Sequence, residues 1–118
     1  MGTSAERGGT LHLTKECSEY TGEPGSFCTI ASSNFDAIPV GSKVVYAEAM
    51  ATGGIDTDIV VNTPSGDTVH GHVVLDGATM TGTVTLAGGT GELAQLKADL
   101  VVAPLAEPSY SWDGPYSY

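Results

Sequence analysis

The chain has 118 residues, room for one hydrophobic core and no second domain. Its 16 glycines, its abundant Val and Thr and its four Lys plus Arg favour strands and turns over long helical surfaces. A formal charge of −10 repels phosphate backbones and anionic membrane surfaces, which argues against a nucleic-acid or membrane partner, and no stretch is long and apolar enough to span a bilayer as a helix.

Taken in chain order, Met1–Gly9 lacks an apolar segment and reads as a frayed or artificial start, followed by a single domain over residues 10–118. Thr10–Lys15 is the first candidate strand. Cys17 and Cys28 flank the polar turn at Glu23-Pro24-Gly25 and are expected to form a disulfide, with two free thiols as the alternative. Their spacing is too wide for a C-x-x-C metal knuckle. A disulfide implies an oxidising compartment, so the expected location is secreted or periplasmic, with an export signal on a precursor.

Further strands are predicted over Ser26–Ser32, Ser42–Met50, Thr57–Asn62, Asp67–Leu75, Met80–Ala87, Glu92–Val102 and Ser109–Trp112, with a short helical turn over Asn34–Pro39. Gly53-Gly54, Pro64-Ser65-Gly66, Asp76-Gly77 and Gly88-Gly89-Thr90-Gly91 separate them and supply the positive φ that hairpins need. Eight short strands at this spacing predict an all-β fold, a closed antiparallel eight-stranded barrel.

If every hairpin loop is even-numbered, parity decides which side chains share a face. Glu48 then faces Ile59 and Tyr46 faces Val61. Ile59 faces His72 and Val61 faces His70, His72 pairs with Thr83, and Ala94, Leu96, Ala98, Leu100 and Val102 follow on the same side. The expected lumen therefore holds Val44, Tyr46, Glu48, Met50, Ile59, Val61, His70, His72, Leu96 and Leu100. The expected exterior holds Lys43, Asp58, Asn62, Gln95, Lys97 and Asp99, mixed with Val45, Val60, Val73, Val84 and Leu86. One β-bulge would invert everything downstream of it.

No nucleophile elbow, P-loop, zinc-protease or dinucleotide fingerprint is present. Gly88–Gly91 lacks the Lys-Ser/Thr of a phosphate loop and is expected to be a tight hairpin. His70 and His72 would lie about 7 Å apart on one face of a strand. With Glu48 or Asp58 they could make a three-ligand metal site, but parity puts Asp58 on the opposite face and two imidazoles alone are a weak signal, so no metal or other cofactor is expected. The acidic residues are spread out, as solubility requires, rather than clustered for a cation. Glu48, between Ala47 and Ala49, would be partly desolvated in a lumen and suited to proton transfer, with Tyr46 donating a hydrogen bond and His72 as a second proton carrier. Simple solvation of Glu48 is the competing reading. The alternating aromatics of Tyr110–Tyr118 either pack along a last strand or wall a pocket for a flat ligand, with Trp112 foremost.

Thr83–Leu93, with its strand, Gly-Gly-Thr-Gly turn and following strand to Val102, resembles the corresponding part of allene oxide cyclases and dirigent proteins. Gly71–Asp76 fits the same layout. The resemblance spans Val44 to Val102 and extends to small secreted bacterial barrels of that class. It implies an eight-stranded barrel with an apolar lumen, a homo-oligomer (trimer or dimer) built through outer strands, and cofactor-free handling of a reactive organic intermediate. Those families' catalytic residues do not map position by position onto this chain, and the Cys17–Cys28 segment lies outside the shared part.

The leading expectation is a cofactor-independent isomerase or cyclase acting on a small hydrophobic substrate in the lumen. Glu48, Tyr46 and His72 would do the chemistry, and His70, Ile59, Val61, Met50, Leu96 and Trp112 would contact the ligand. The alternatives are a non-catalytic, lipocalin-like barrel binding a small apolar ligand, and a catalyst engineered on such a scaffold.

Overall fold

Leu11, Leu13 and Lys15 alternate with His12, Thr14 and Glu16, and this period of two recurs along the chain, burying one face of each strand. The computed structural model describes residues 8–48, 53–106 and 108–118. Its strands are β1 (Gly8–Glu16), β2 (Phe27–Ser33), β3 (Lys43–Tyr46), β4 (Gly54–Asn62), β5 (Thr68–Asp76), β6 (Thr81–Gly89), β7 (Lys97–Pro104) and β8 (Ser109–Ser117). Each pairs antiparallel with its sequence neighbours, and β8 returns to β1, closing an eight-stranded barrel. Closure leaves no unpaired sheet edge, which offsets the aggregation hazard of a strand-rich chain.

Inward side chains fill the barrel. Leu11, Leu13, Ile30, Val44, Ile59, Val61, Val73, Val84, Leu86, Leu100 and Trp112 are essentially inaccessible to solvent. Each such aliphatic side chain contributes about 1.5–3 kcal/mol through burial. One extra residue on β2, between the pairs Thr14–Ser32 and Lys15–Ile30, makes a bulge that lets both Ile30 and Ser33 turn inward. Residues 35–38 make a single turn closed by the Ile38 N–H to the Phe35 carbonyl at 3.0 Å, not a helix. Beside it, Phe35 packs on Tyr116 and Tyr118, with ring centroids 4.9 and 5.2 Å away.

Turn lengths differ from the even-numbered expectation at two places. The β4–β5 connection has five residues, Thr63 to Asp67, so Ile59 pairs with Gly71 and Val61 with Val69. The Thr63 side chain stabilises this odd turn by accepting the Asp67 N–H at 3.1 Å. The slip of one residue turns His70 and His72 outward and brings Val69, Val73 and Leu75 inward. β6 inherits the inversion, so Val84 and Leu86 lie inside, although parity counting placed Val73, Val84 and Leu86 on the exterior.

The second difference restores the original parity. Gly88 and Gly89 finish β6, and a 3-10 turn over Gly91–Leu93 follows, in place of the expected tight hairpin and early strand. Leu86 now pairs with Ala98, so Leu96, Ala98, Leu100 and Val102 face the core as expected, while Ala94 caps the 3-10 turn and is exposed. The expected exterior residues Lys43, Asp58, Asn62, Gln95, Lys97 and Asp99 are exposed, and Val45 and Val60 are half-buried.

Candidate functional site

β1, β3 and β5 end, and β2, β4, β6 and β8 begin, at the same rim of the barrel. Here the inward row Leu11, Leu13 continues into a lysine: Lys15 pairs with Tyr110 across β8 and is only 3 % exposed. A pocket of about 200 Å³ opens beside it, lined by Lys15, Tyr20, Tyr46 and Tyr110, by the Cys17–Cys28 bridge, and by Ile55, Leu75, Met80 and Pro108. A larger depression of about 410 Å³ on the outer wall, over Gly54, Asp56, Val74 and Asp76, is shallow and open to solvent.

The Lys15 ammonium stem is held from several sides. Its Nζ donates a hydrogen bond to the Tyr46 hydroxyl. The same nitrogen sits 5.1 Å from the Tyr46 ring centroid, 5.3 Å from that of Tyr110 and 5.1 Å from that of Trp112. No carboxylate forms an ion pair with it among the described residues. Burial therefore pushes the amine down to about 7, because nothing of opposite charge repays its desolvation. The ring faces oppose that drop, since each favours the ammonium form. Burial pushes the Tyr46 phenol upward, with Tyr20 and Tyr110 adding to the effect, so its hydroxyl keeps its proton at neutral pH.

The disulfide expected between Cys17 and Cys28 is present and closes the loop that carries Tyr20. Within that loop the Tyr20 N–H donates to the Cys17 carbonyl at 3.0 Å, and the Gly25 N–H donates to the Tyr46 carbonyl at 2.8 Å. Tyr20 is thereby set against Tyr46, ring centroids 4.7 Å apart. Its hydroxyl is buried and has no hydrogen-bond partner among the described residues, and the same holds for Trp112 Nε1. An unsatisfied buried hydroxyl costs about 1–3 kcal/mol, so the Tyr20 hydroxyl is an unmet demand within the pocket wall. The bridge is consistent with an extracellular or periplasmic location.

Of the three side chains expected to do chemistry, only Tyr46 is in the pocket. Glu48 lies beyond the end of β3, exposed, its N–H bonded to Thr57 Oγ1 at 2.9 Å. His72 is on the outer wall, where Nδ1 meets Asp58 at 2.9 Å and Nε2 meets Asp56 at 2.5 Å. These hydrogen bonds, Asp58 first, raise its pKa. His70 is also on the outer wall. Ile59, Val61 and Leu96 are buried but belong to the packed core rather than to the pocket. Trp112 is buried beside Lys15, and Met50 lies outside the described residues. The described residues contain no group of three His, Cys, Asp or Glu able to hold a metal.

Lys15 was the residue that sequence reasoning passed over. A signal existed: in Leu11-His12-Leu13-Thr14-Lys15 the lysine takes the next position of the apolar series. Polarity argued for the outside, and alternation argued for the inside. Alternation prevailed, and the Tyr46 hydroxyl gives the buried nitrogen a hydrogen-bond partner. Comparison with protein-family models, with curated proteins and with solved structures finds no match for this chain.

Proposed function

We propose that this barrel binds a small, largely apolar, unsaturated molecule carrying one oxygen, in the rim pocket around Lys15. The observation that carries the reading is the placing of Lys15 and Tyr46 at a cavity whose other walls are largely aromatic or aliphatic, with the unpartnered Tyr20 hydroxyl buried within the wall. Few placed polar groups in an apolar cleft are the usual signature of a ligand site. An apolar cavity of roughly 150 Å³ accepts benzene, so a volume of about 200 Å³ suits a one-ring compound. The filled interior beyond the pocket leaves no room for a long chain. The disulfide supports a protein that works outside the cytoplasm.

The test is an NMR titration with benzyl alcohol and p-cresol. Resonances of Tyr20, Tyr46 and Tyr110 should shift saturably, and Ile55→Trp, which fills the pocket, should abolish the effect. Unmoved tyrosines would remove the reading.

A cofactor-free isomerase or cyclase is the second reading, and one pair favours it. Lys15 and Tyr46 place a base beside a protonated hydroxyl in a low-dielectric pocket, which suits moving a proton next to a carbonyl. The likeness of the Thr83–Leu93 region to allene oxide cyclases and dirigent proteins points the same way. Native mass spectrometry of the purified protein separates the two. A released ligand that is unchanged supports binding alone, and conversion to an isomer of equal mass supports catalysis.

A further inference from the structure

We propose that Lys15 forms a reversible covalent imine with small aldehydes or ketones that enter the rim pocket. The proposal rests on the binding reading above and names its ligand class. Lys15 lines the cavity, has no carboxylate partner among the described residues, and is held at its nitrogen by the Tyr46 hydroxyl. The enclosing rings of Tyr46, Tyr110 and Trp112 leave the nitrogen little freedom to swing away. A lysine desolvated in an apolar pocket is the form that attacks carbonyls.

The step balances simply. The Nζ lone pair attacks the carbonyl carbon, forming the C–N bond as the C=O π pair moves to oxygen. Proton transfer gives a neutral carbinolamine, to whose oxygen the Tyr46 hydroxyl donates a hydrogen bond. The C–O bond then breaks, water leaves, and R–CHO plus Lys15–NH₂ has become R–CH=N–Lys15 plus H₂O. Tyr46 suits its part because burial keeps its proton in place. The amine is also available. With its pKa pushed down to about 7, about half of it is neutral at that pH, against roughly one molecule in 10³ for an unperturbed lysine.

The experiment uses benzaldehyde as probe, with sodium borohydride to fix any imine. Intact mass should show one addition, equal to one aldehyde less one oxygen atom. Peptide mapping should place it on Lys15 at least tenfold faster than on Lys43, Lys97 or the N-terminal amine. Lys15→Met should lose the fast addition, and Ile55→Trp should slow it to the rate of the other amines. Benzyl alcohol, which binds but cannot react, keeps the two ideas apart. If it shifts the pocket tyrosines while labelling spreads evenly over all amines, the imine is overturned and the binding site stands. If it has no effect and Lys15 labels no faster than Lys43, both fall.

Discussion

Lys15 and His72 are perturbed in opposite senses, and each leaves its own mark on stability against pH. An unfolded chain keeps a lysine protonated up to about 10.4, whereas the folded protein releases the Lys15 proton near 7. Between those values the unfolded state binds more protons, so folding stability rises with pH there, and the penalty is complete below 7. After the opposing pull of the ring faces, its size is roughly 2–5 kcal/mol. The titratable groups facing Lys15 are the phenols of Tyr20, Tyr46 and Tyr110. Burial pushes the Tyr20 and Tyr46 phenols upward, so these two keep their protons as the lysine titrates. Lys15→Met should therefore be more stable than the native protein at pH 6, and the gap should narrow by pH 9.5, as read by urea unfolding. A constant gap would remove the buried, readily neutralised lysine. His72 contributes the other way. Its raised folded-state pKa gives stability that is fully present below the unfolded value and lost as pH climbs through the folded one. Asp58→Asn should lower the His72 titration midpoint, followed by its ring proton in NMR.

Individual strands and turns explain why parity misplaced the histidines. The inward row of β5 is Val69, Gly71, Val73, Leu75, and its second member has no side chain to advertise the pattern. A Cβ at Gly71 would come within 2.7 Å of Leu86 Cδ2 and 2.5 Å of the Thr85 carbonyl, so the gap in the hydrophobic row is itself a packing requirement. Counting residues through the Thr63–Asp67 turn assumed an even loop, whereas the hydrophobic row Val69, Val73, Leu75 already indicated the correct face. Gly54, which opens β4, is another glycine under tight constraint. Its φ is +140°, and a Cβ there would lie 2.0 Å from the Leu75 carbonyl oxygen. Gly54→Ala is expected to cost roughly 2–4 kcal/mol, visible as a lowered thermal midpoint. An unchanged midpoint would mean that β4 and β5 do not approach so closely at the pocket rim.

Across the whole molecule, one covalent link joins stability to the site. The Cys17–Cys28 bridge closes a loop with a sequence separation of 11, which restricts the unfolded chain by about 3 kcal/mol in the loop-entropy account. It also holds Tyr20 against Tyr46. Replacing both cysteines by Ala should lower stability by about that amount and weaken benzyl alcohol binding together. Stability lost without any change in binding would separate the loop from the pocket. Barrel closure supplies the remaining condition. It brings β8 back to β1, setting Tyr110 and Trp112 beside Lys15 and Leu13 although they stand at opposite ends of the chain.

The local signals in the chain were sufficient for the eight strands, the all-β class, the disulfide and the inward side of Val44, Ile59, Val61, Leu96, Ala98, Leu100 and Val102, because strand periodicity and turn chemistry act over a few residues. The inward side of Tyr46 was legible for the same reason. The side on which His70, His72 and Glu48 lie depended on the length of one turn and the early end of β3, where a single residue exchanges inside for outside. The alternating row of β1 pointed Lys15 inward, but its place at the centre of the site was decided by the tertiary structure. Its desolvation and its three aromatic neighbours arise only when β1, β3 and β8 meet around one end of a closed barrel.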